Sequence, residues 1–143
     1  VNRWTDAVLD AGDDEAMARQ AETFLLARVP EPDEQAGLAD RAVELAMRDR
    51  SIVRVEQLCE RTGLSVRQLQ RLFRRCVGVT PKWVIRRFRL QEAAERIEKD
   101  AGVSLTDLAH QLGYFDQAHF IKDFKAVLGQ PPAAYRQVVA DAQ

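Results

Sequence analysis

The chain has 143 residues, of which 46% are hydrophobic and 30% are charged. This balance is typical of a globular protein rather than a disordered one, and the length suits one domain, or one domain with an additional segment. No run of about 18 apolar residues is present, so the sequence predicts neither a membrane span nor a membrane partner. No signal peptide opens the chain, and Val1 stands where an initiator Met would, so we expect a fragment of a longer protein.

The charge is unevenly distributed along the chain. Residues 1–40 carry 3 Lys/Arg and 10 Asp/Glu, whereas residues 41–143 carry 18 and 12. Residues 61–91 hold nine basic side chains and no acidic one. A solvated charged face would normally mix the two signs, so this acid-free block favours a polyanionic partner.

The two cysteines, Cys59 and Cys76, lie in predicted helices, outside any C-x-x-C pair or zinc-ligand cluster. We interpret them as small buried hydrophobic side chains of a protein from a reducing compartment. The alternative is a catalytic thiol.

Residues 1–34 are predicted to form an acidic leader with one amphipathic helix, from Glu15 to Arg28, which Pro30 and Pro32 end. The leader is too short for a domain, and we interpret it as the tail of a missing N-terminal domain. A second helix, from about Gln35 to Arg48, begins a predicted first subdomain over residues 35–80.

The first subdomain contains a helix-turn-helix pattern. A short helix from Val55 is followed by Gly63, which suits a left-handed helix end, and by Ser65, which can cap the next helix. A helix, a tight glycine turn and a second helix form the outline of a unit whose second helix enters a DNA groove. That second helix is predicted to have two faces. Its apolar face comprises Val66, Leu69, Phe73 and Cys76, and its polar face comprises Arg67, Gln70, Arg71 and Arg74.

A long linking helix is predicted over residues 81–100, with Thr80 as its cap and Pro81 as its first residue. Some twenty residues give a rod of about 30 Å. A second subdomain is predicted over residues 101–143, with caps at Ser104 and Asp116 and a last helix after Pro131.

The second subdomain repeats the first at a nearly constant offset. Leu58 matches Leu108 and Gly63 matches Gly113 at fifty residues, and later positions match at fifty-one because the second turn has one extra residue. These later pairs are Ser65 with Asp116, Phe73 with Phe124, Gly78 with Gly129 and Pro81 with Pro132. Two such outlines in register predict a pair of helix-turn-helix units.

The sequence resembles the DNA-binding domain of AraC/XylS-family transcriptional regulators from about residue 40 to residue 137. The first matching stretches are Leu58-x4-Gly63-x-Ser65-x3-Leu69-x-Arg71-x-Phe73 and Gly78-Val79-Thr80-Pro81, followed by Arg89-Leu90-x2-Ala93. The second is Leu108-Ala109-x3-Gly113-Tyr114-x-Asp116-x3-Phe120-x3-Phe124-Lys125-x3-Gly129-x2-Pro132-x2-Tyr135-Arg136. Arg54 departs from the family pattern, which commonly has a capping Ser or Thr there.

The resemblance implies an all-α fold with two helix-turn-helix subdomains joined by a long central helix, a homeodomain-like pair. The family reads two successive major grooves of double-stranded DNA, which lie about 34 Å apart. It regulates bacterial transcription, usually by activators that contact RNA polymerase, and a separate domain often senses a small molecule or mediates dimerisation. We therefore expect a cytoplasmic, nucleoid-associated activator without a cofactor, which forms a homodimer through the missing N-terminal domain.

The resemblance also assigns DNA-contacting residues. Arg71 is the candidate for a guanine edge, Gln70 for adenine and Ala118 for a thymine methyl group. The full base-reading set is Arg67, Gln70, Arg71, Gln117, Ala118, His119 and Lys122, and the phosphate set is Arg74, Arg75 and Lys125. The two helices expected to read the grooves, the first and second readers, lie near residues 66–76 and 117–127. Since the second reader is less basic, we expect the first to carry most of the sequence discrimination. Plain solvation is the alternative for Arg74 and Arg75, and simple exposure for His119.

Other functions explain the pattern less well. The aromatic residues lie on predicted apolar faces, which favours core packing over base stacking on single strands. The predicted core aromatics are Phe73, Trp83, Phe88, Tyr114, Phe120, Phe124 and Tyr135. No catalytic pairing or phosphate-binding glycine loop is present, so we expect no enzyme. A helical protein-interaction module would explain the fold but not the acid-free basic block.

Overall fold

The structure is a computed structural model, and it describes residues 3–29, 33–100 and 102–141. Within these ranges every regular element is an α-helix, which confirms the all-α prediction. The helices are α1 (Arg3–Leu9), α2 (Asp14–Leu26), α3 (Glu34–Arg48), α4 (Val55–Thr62), α5 (Val66–Cys76), α6 (Pro81–Lys99), α7 (Leu105–Gln111), α8 (Gln117–Leu128) and α9 (Pro132–Asp141). None of the described helices is both long and apolar enough to cross a membrane.

The chain forms two compact units, which divide after residue 34. In the N-terminal segment, α1 packs on α2, and the Trp4 ring stacks on the Phe24 ring with 4.4 Å between centroids. The Arg28 guanidinium lies 3.6 Å from the centroid of the Phe24 ring. The sequence pattern predicted α2 but did not reveal α1. Pro30 and Pro32, which are predicted to end α2, lie outside the described residues.

The main unit, from residue 35, contains two hydrophobic cores that share α6. The first core packs α3, α4 and α5 against the start of α6. The second packs α7, α8 and α9 against its later turns. Val84 and Ile85 enter the first core, while Leu90 and Ile97 enter the second. The 19-residue α6 is therefore the shared wall of both subdomains.

The turns and caps agree with the predicted repeat. Gly63 and Gly113 adopt left-handed φ angles of 70° and 83°. Ser65 Oγ accepts from the amide of Gln68, and Asp116 Oδ1 accepts from the amide of His119. A Cβ at Gly113 would lie 2.9 Å from Val53 Cβ, so glycine also lets the second turn approach the first subdomain closely.

Four predictions about burial need correction. Trp83 is 44% exposed because Val84 and Ile85 take the core-facing directions of that helical turn. Val66 is exposed at the first position of α5. Cys59 and Cys76 are free thiols and only half-buried. Burial raises the pKa of the Cys59 thiol, as do the charges of two nearby glutamates, which disfavours the reactive thiolate.

Candidate nucleic-acid interface

The outer face of α5 carries three arginines whose side chains have no partner among the described residues. Arg67, Gln70, Arg71 and Arg74 are exposed. Among the described residues, none of these four side chains takes part in a hydrogen bond or an ion pair. The opposite face is anchored in the core by the buried residues Leu69, Leu72 and Phe73. The helix is therefore fixed on one side while its arginines remain available on the other.

Arg75, the last predicted phosphate contact on this helix, differs from its neighbours. It is exposed, but its Nη1 donates to Gln35 Oε1 over 2.9 Å. Since Gln35 lies in α3, Arg75 joins the reader helix to its own subdomain. A role toward phosphate would have to share or release this hydrogen bond.

The acid-free block of residues 61–91 contributes fewer surface cations than the sequence indicates. Arg61 pairs with Asp49 across 3.2 Å, and Arg86 pairs with Asp123 across 3.2 Å. Arg89 is only 2% exposed. The acidic partners lie outside the block in sequence, so a count along the chain could not reveal them.

The second reader, α8, presents a less basic face. Ala118, Lys122 and Lys125 are exposed, and neither lysine has an ion-pair partner within the described ranges. Gln117 is half-buried, and its Oε1 accepts from Thr106 Oγ1 over 2.9 Å. Its amide NH2 is the group left to donate to a base.

His119 is held by an acidic residue that the sequence pattern did not single out. His119 Nε2 lies 3.4 Å from Asp123 Oδ2, the same oxygen that pairs with Arg86. The Tyr114 ring meets the imidazole edge-on, with 5.4 Å between centroids. Burial raises the pKa of the Tyr114 hydroxyl, and the Asp123 carboxylate raises it further. Asp123 therefore lies beside His119 while it ties α8 to α6.

A cleft of about 430 Å³ lies between the two subdomains. Its walls include Arg54 from the start of α4, Lys82 from α6 and His119 from α8. Arg54 and Lys82 are exposed cations without a partner among the described side chains. The lining also includes the acidic residues Glu56 and Asp123. The cleft therefore places two exposed cations between the subdomains, at positions that the sequence analysis did not include among the site residues.

The described residues bring together no group of three or more His, Cys, Asp or Glu side chains that could hold a metal ion.

Comparison with known proteins identifies the helical pattern independently. A family model described as "Helix-turn-helix domain" matches residues 58–138, more than half of the chain. The match runs from α4 into α9 and includes both turns and both candidate readers.

Three relatives illustrate the similarity. The transcriptional activator RhaS of Pectobacterium carotovorum subsp. carotovorum is 34% identical over 79 residues, which are 55% of this chain and 28% of the relative. A putative AraC-like transcription regulator of Streptomyces lividans is 34% identical over 108 residues, 71% of this chain and 35% of the relative. The activator AarP of Providencia stuartii is 34% identical over 82 residues, 57% of this chain and 60% of the relative. The chain thus matches about a third or less of the first two relatives.

Proposed function

We propose that this chain, which belongs to the AraC/XylS family of helix-turn-helix transcription regulators, binds double-stranded DNA sequence-specifically and regulates bacterial transcription. α5 and α8 would enter successive major grooves. The observation that carries this proposal is the row Arg67, Arg71 and Arg74 on α5, whose side chains have no ion-pair partner among the described residues. A cation without a protein partner loses no ion pair when it binds phosphate, so counterion release favours association without that cost.

The residues divide into two roles. Arg67 and Arg71 project guanidinium groups from an anchored helix, and this geometry suits bidentate contacts with guanine. Gln70 between them suits adenine. Arg74 and Arg75, nearer the end of α5, would contact phosphates, which position the protein without reading sequence.

The second reader would contribute less to discrimination. Ala118 offers only a methyl contact to thymine. Lys122 and His119 can donate to a base or a phosphate, and Gln117 can donate through its amide. Lys125 would contact phosphate. This division supports a first reader that selects the site and a second that mainly positions the protein.

For the whole protein we propose an activator that acts in the cytoplasm, on the nucleoid, and that contacts RNA polymerase. The relatives RhaS and AarP are themselves named transcriptional activators. A homodimer formed through a further N-terminal domain would fit the length of the larger relatives, of which this chain matches 28–35%.

A salt-dependent mobility-shift assay tests the proposal. We expect the chain to bind random-sequence duplexes at low salt, with log K falling by about 0.9 per neutralised phosphate for each unit of log salt. Duplexes selected from a random pool should bind more tightly. Arg74→Gln should flatten the salt slope, whereas Arg48→Gln, which removes a surface cation paired with Glu44, should leave it unchanged. Absence of binding at low salt would instead favour a helical protein-interaction module.

A further inference from the structure

A network of hydrogen-bonded polar side chains begins where α3 meets α6. Arg89 and Glu92, in α6, are 2% and 4% exposed. Arg89 Nη1 donates to Glu92 Oε2 over 2.7 Å. Arg89 Nη2 donates to the carbonyl oxygen of Ala46 over 2.7 Å, in the last turn of α3. The pair therefore ties α6 to the end of a first-subdomain helix.

The polar network continues to the second subdomain. Glu92 Oε1 accepts from Arg96 Nη2 over 2.6 Å. Arg96 Nη1 donates to Gln111 Oε1 over 2.7 Å, at the end of α7. Glu92 Oε2 thus faces Arg89, and Oε1 faces Arg96, with Arg50 Nη1 a further 3.8 Å from that oxygen. The Glu92 carboxylate is the centre of a continuous connection from α3 to α7.

The connection supplies a directional constraint that the apolar cores do not. Burial of apolar surface is not directional, so packing on α6 alone tolerates small rotations of a subdomain about that helix. Charge-assisted hydrogen bonds constrain angle as well as distance. A buried ion pair is a weak source of net stability because desolvation opposes it, and burial indeed lowers the pKa of the Arg89 guanidinium. A role in geometry explains the arrangement better than a role in stability.

We propose that Glu92 is a positioning residue that sets the separation of the two DNA readers, and so makes the protein selective for half-sites at one spacing. This inference rests on the proposed function. α3 packs with α5 in the first core, and α7 packs with α8 in the second. One inserted base pair moves the second half-site by about 3.4 Å and turns it by about 35°. Readers held rigidly cannot follow that displacement.

The test uses duplexes that the wild-type chain selects from a random pool, with one base pair then inserted between the half-sites. The wild type should lose about 10²-fold in affinity on insertion, since simultaneous engagement of two linked modules is worth at least this much. In Glu92→Gln the ratio between the two spacings should fall below about tenfold. Affinity for the original spacing should change much less than the ratio.

Two further variants separate geometry from stability. Glu44→Gln removes a surface carboxylate that pairs with Arg48 within α3 over 3.0 Å and takes no part in this network, so it should keep the wild-type ratio. Gln111→Ala cuts the last, exposed link without stranding a buried charge, and it should lower the ratio in the same direction. It decides the question if Glu92→Gln fails to fold.

Two results would contradict the proposals. If Glu92→Gln and Gln111→Ala weaken binding at both spacings by the same factor, the polar network has only a structural role and the spacing proposal is wrong. If the wild type shows no preference among DNA sequences, the proposed function itself fails, because no half-sites can then be selected.

Discussion

The first and second subdomains share an outline but differ in the surface that would face DNA. Both have a left-handed glycine in the turn and a side-chain cap on the reader helix. α5, however, exposes Arg67, Arg71 and Arg74, whereas the middle of α8 exposes Lys122. The repeat thus preserves what builds a helix-turn-helix unit and leaves its outer face free to vary. This is the arrangement expected of two readers with unequal roles.

The two hydrophobic cores also differ, and substitutions in them should have the largest effects on the free energy of unfolding. Phe73 and Phe124 occupy matching positions and are both fully buried. Phe124 additionally meets the Phe120 and Tyr135 rings edge-on, each with 5.7 Å between centroids. We expect Phe73→Ala to lower the free energy of unfolding by about 3–5 kcal/mol. Phe124→Ala should cost about 0.5–1.5 kcal/mol more for each aromatic pair lost.

Urea denaturation of the two variants and the wild type measures this difference. Phe124→Leu is the control, because it keeps much of the buried volume while it removes the aromatic edges. Equal losses for Phe73→Ala and Phe124→Ala would show that the aromatic contacts add nothing to the second core.

The comparison of the reader faces can be sharpened with another matched pair, since Arg71 and Lys122 lie fifty-one residues apart. We expect Arg71→Ala to cost about 1–3 kcal/mol on the selected duplex and to relax the preference at one base pair. Lys122→Ala should weaken selected and random duplexes by similar, smaller factors. Competition binding with single-base variants of the selected duplex measures both effects.

Arg48→Ala serves as the control, since it removes an exposed arginine that is paired within α3. The predicted inequality between readers would be contradicted if Lys122→Ala relaxed base preference more than Arg71→Ala did.

The parts of the fold that could be predicted are those that depend on a few consecutive residues. Ser65 caps α5 and Thr80 caps α6 through amides three residues later. Gly63 and Gly113 end their helices because only glycine adopts positive φ without strain. Such local signals are readable from spacing alone, and the two-fold repeat made them unambiguous.

The parts that could not be predicted depend on partners far along the chain. Arg89 looks like one more surface cation in a basic block, yet its acceptor on Ala46 is 43 residues away. Asp123 looks like a flanking charge on α8, yet it pairs with Arg86, 37 residues earlier. Helical periodicity gives the face on which a side chain lies, but not which element covers that face. The polar network that runs from α3 through α6 to α7 was therefore invisible to sequence reasoning.

The smallest predicted effects on stability concern α4 and α7, the first helices of the two helix-turn-helix motifs. Arg54 and Ser104 hold the matching positions at their starts. Ser104 Oγ accepts from the amide of Asp107, whereas Arg54 cannot accept. Instead, Gln57 Oε1 accepts from the amides of Val53 and Arg54, both over 2.9 Å.

Because Gln57 already satisfies two donors, Arg54→Ser should raise the free energy of unfolding by less than about 1 kcal/mol, while Ser104→Ala should lower it by about 1 kcal/mol. Urea midpoints of both variants and of Gln57→Ala measure these changes. If Arg54→Ser stabilised the chain as much as Ser104→Ala destabilised it, Gln57 would not be acting as the cap of α4, and the two helix starts would differ by a missing interaction rather than by a substituted one.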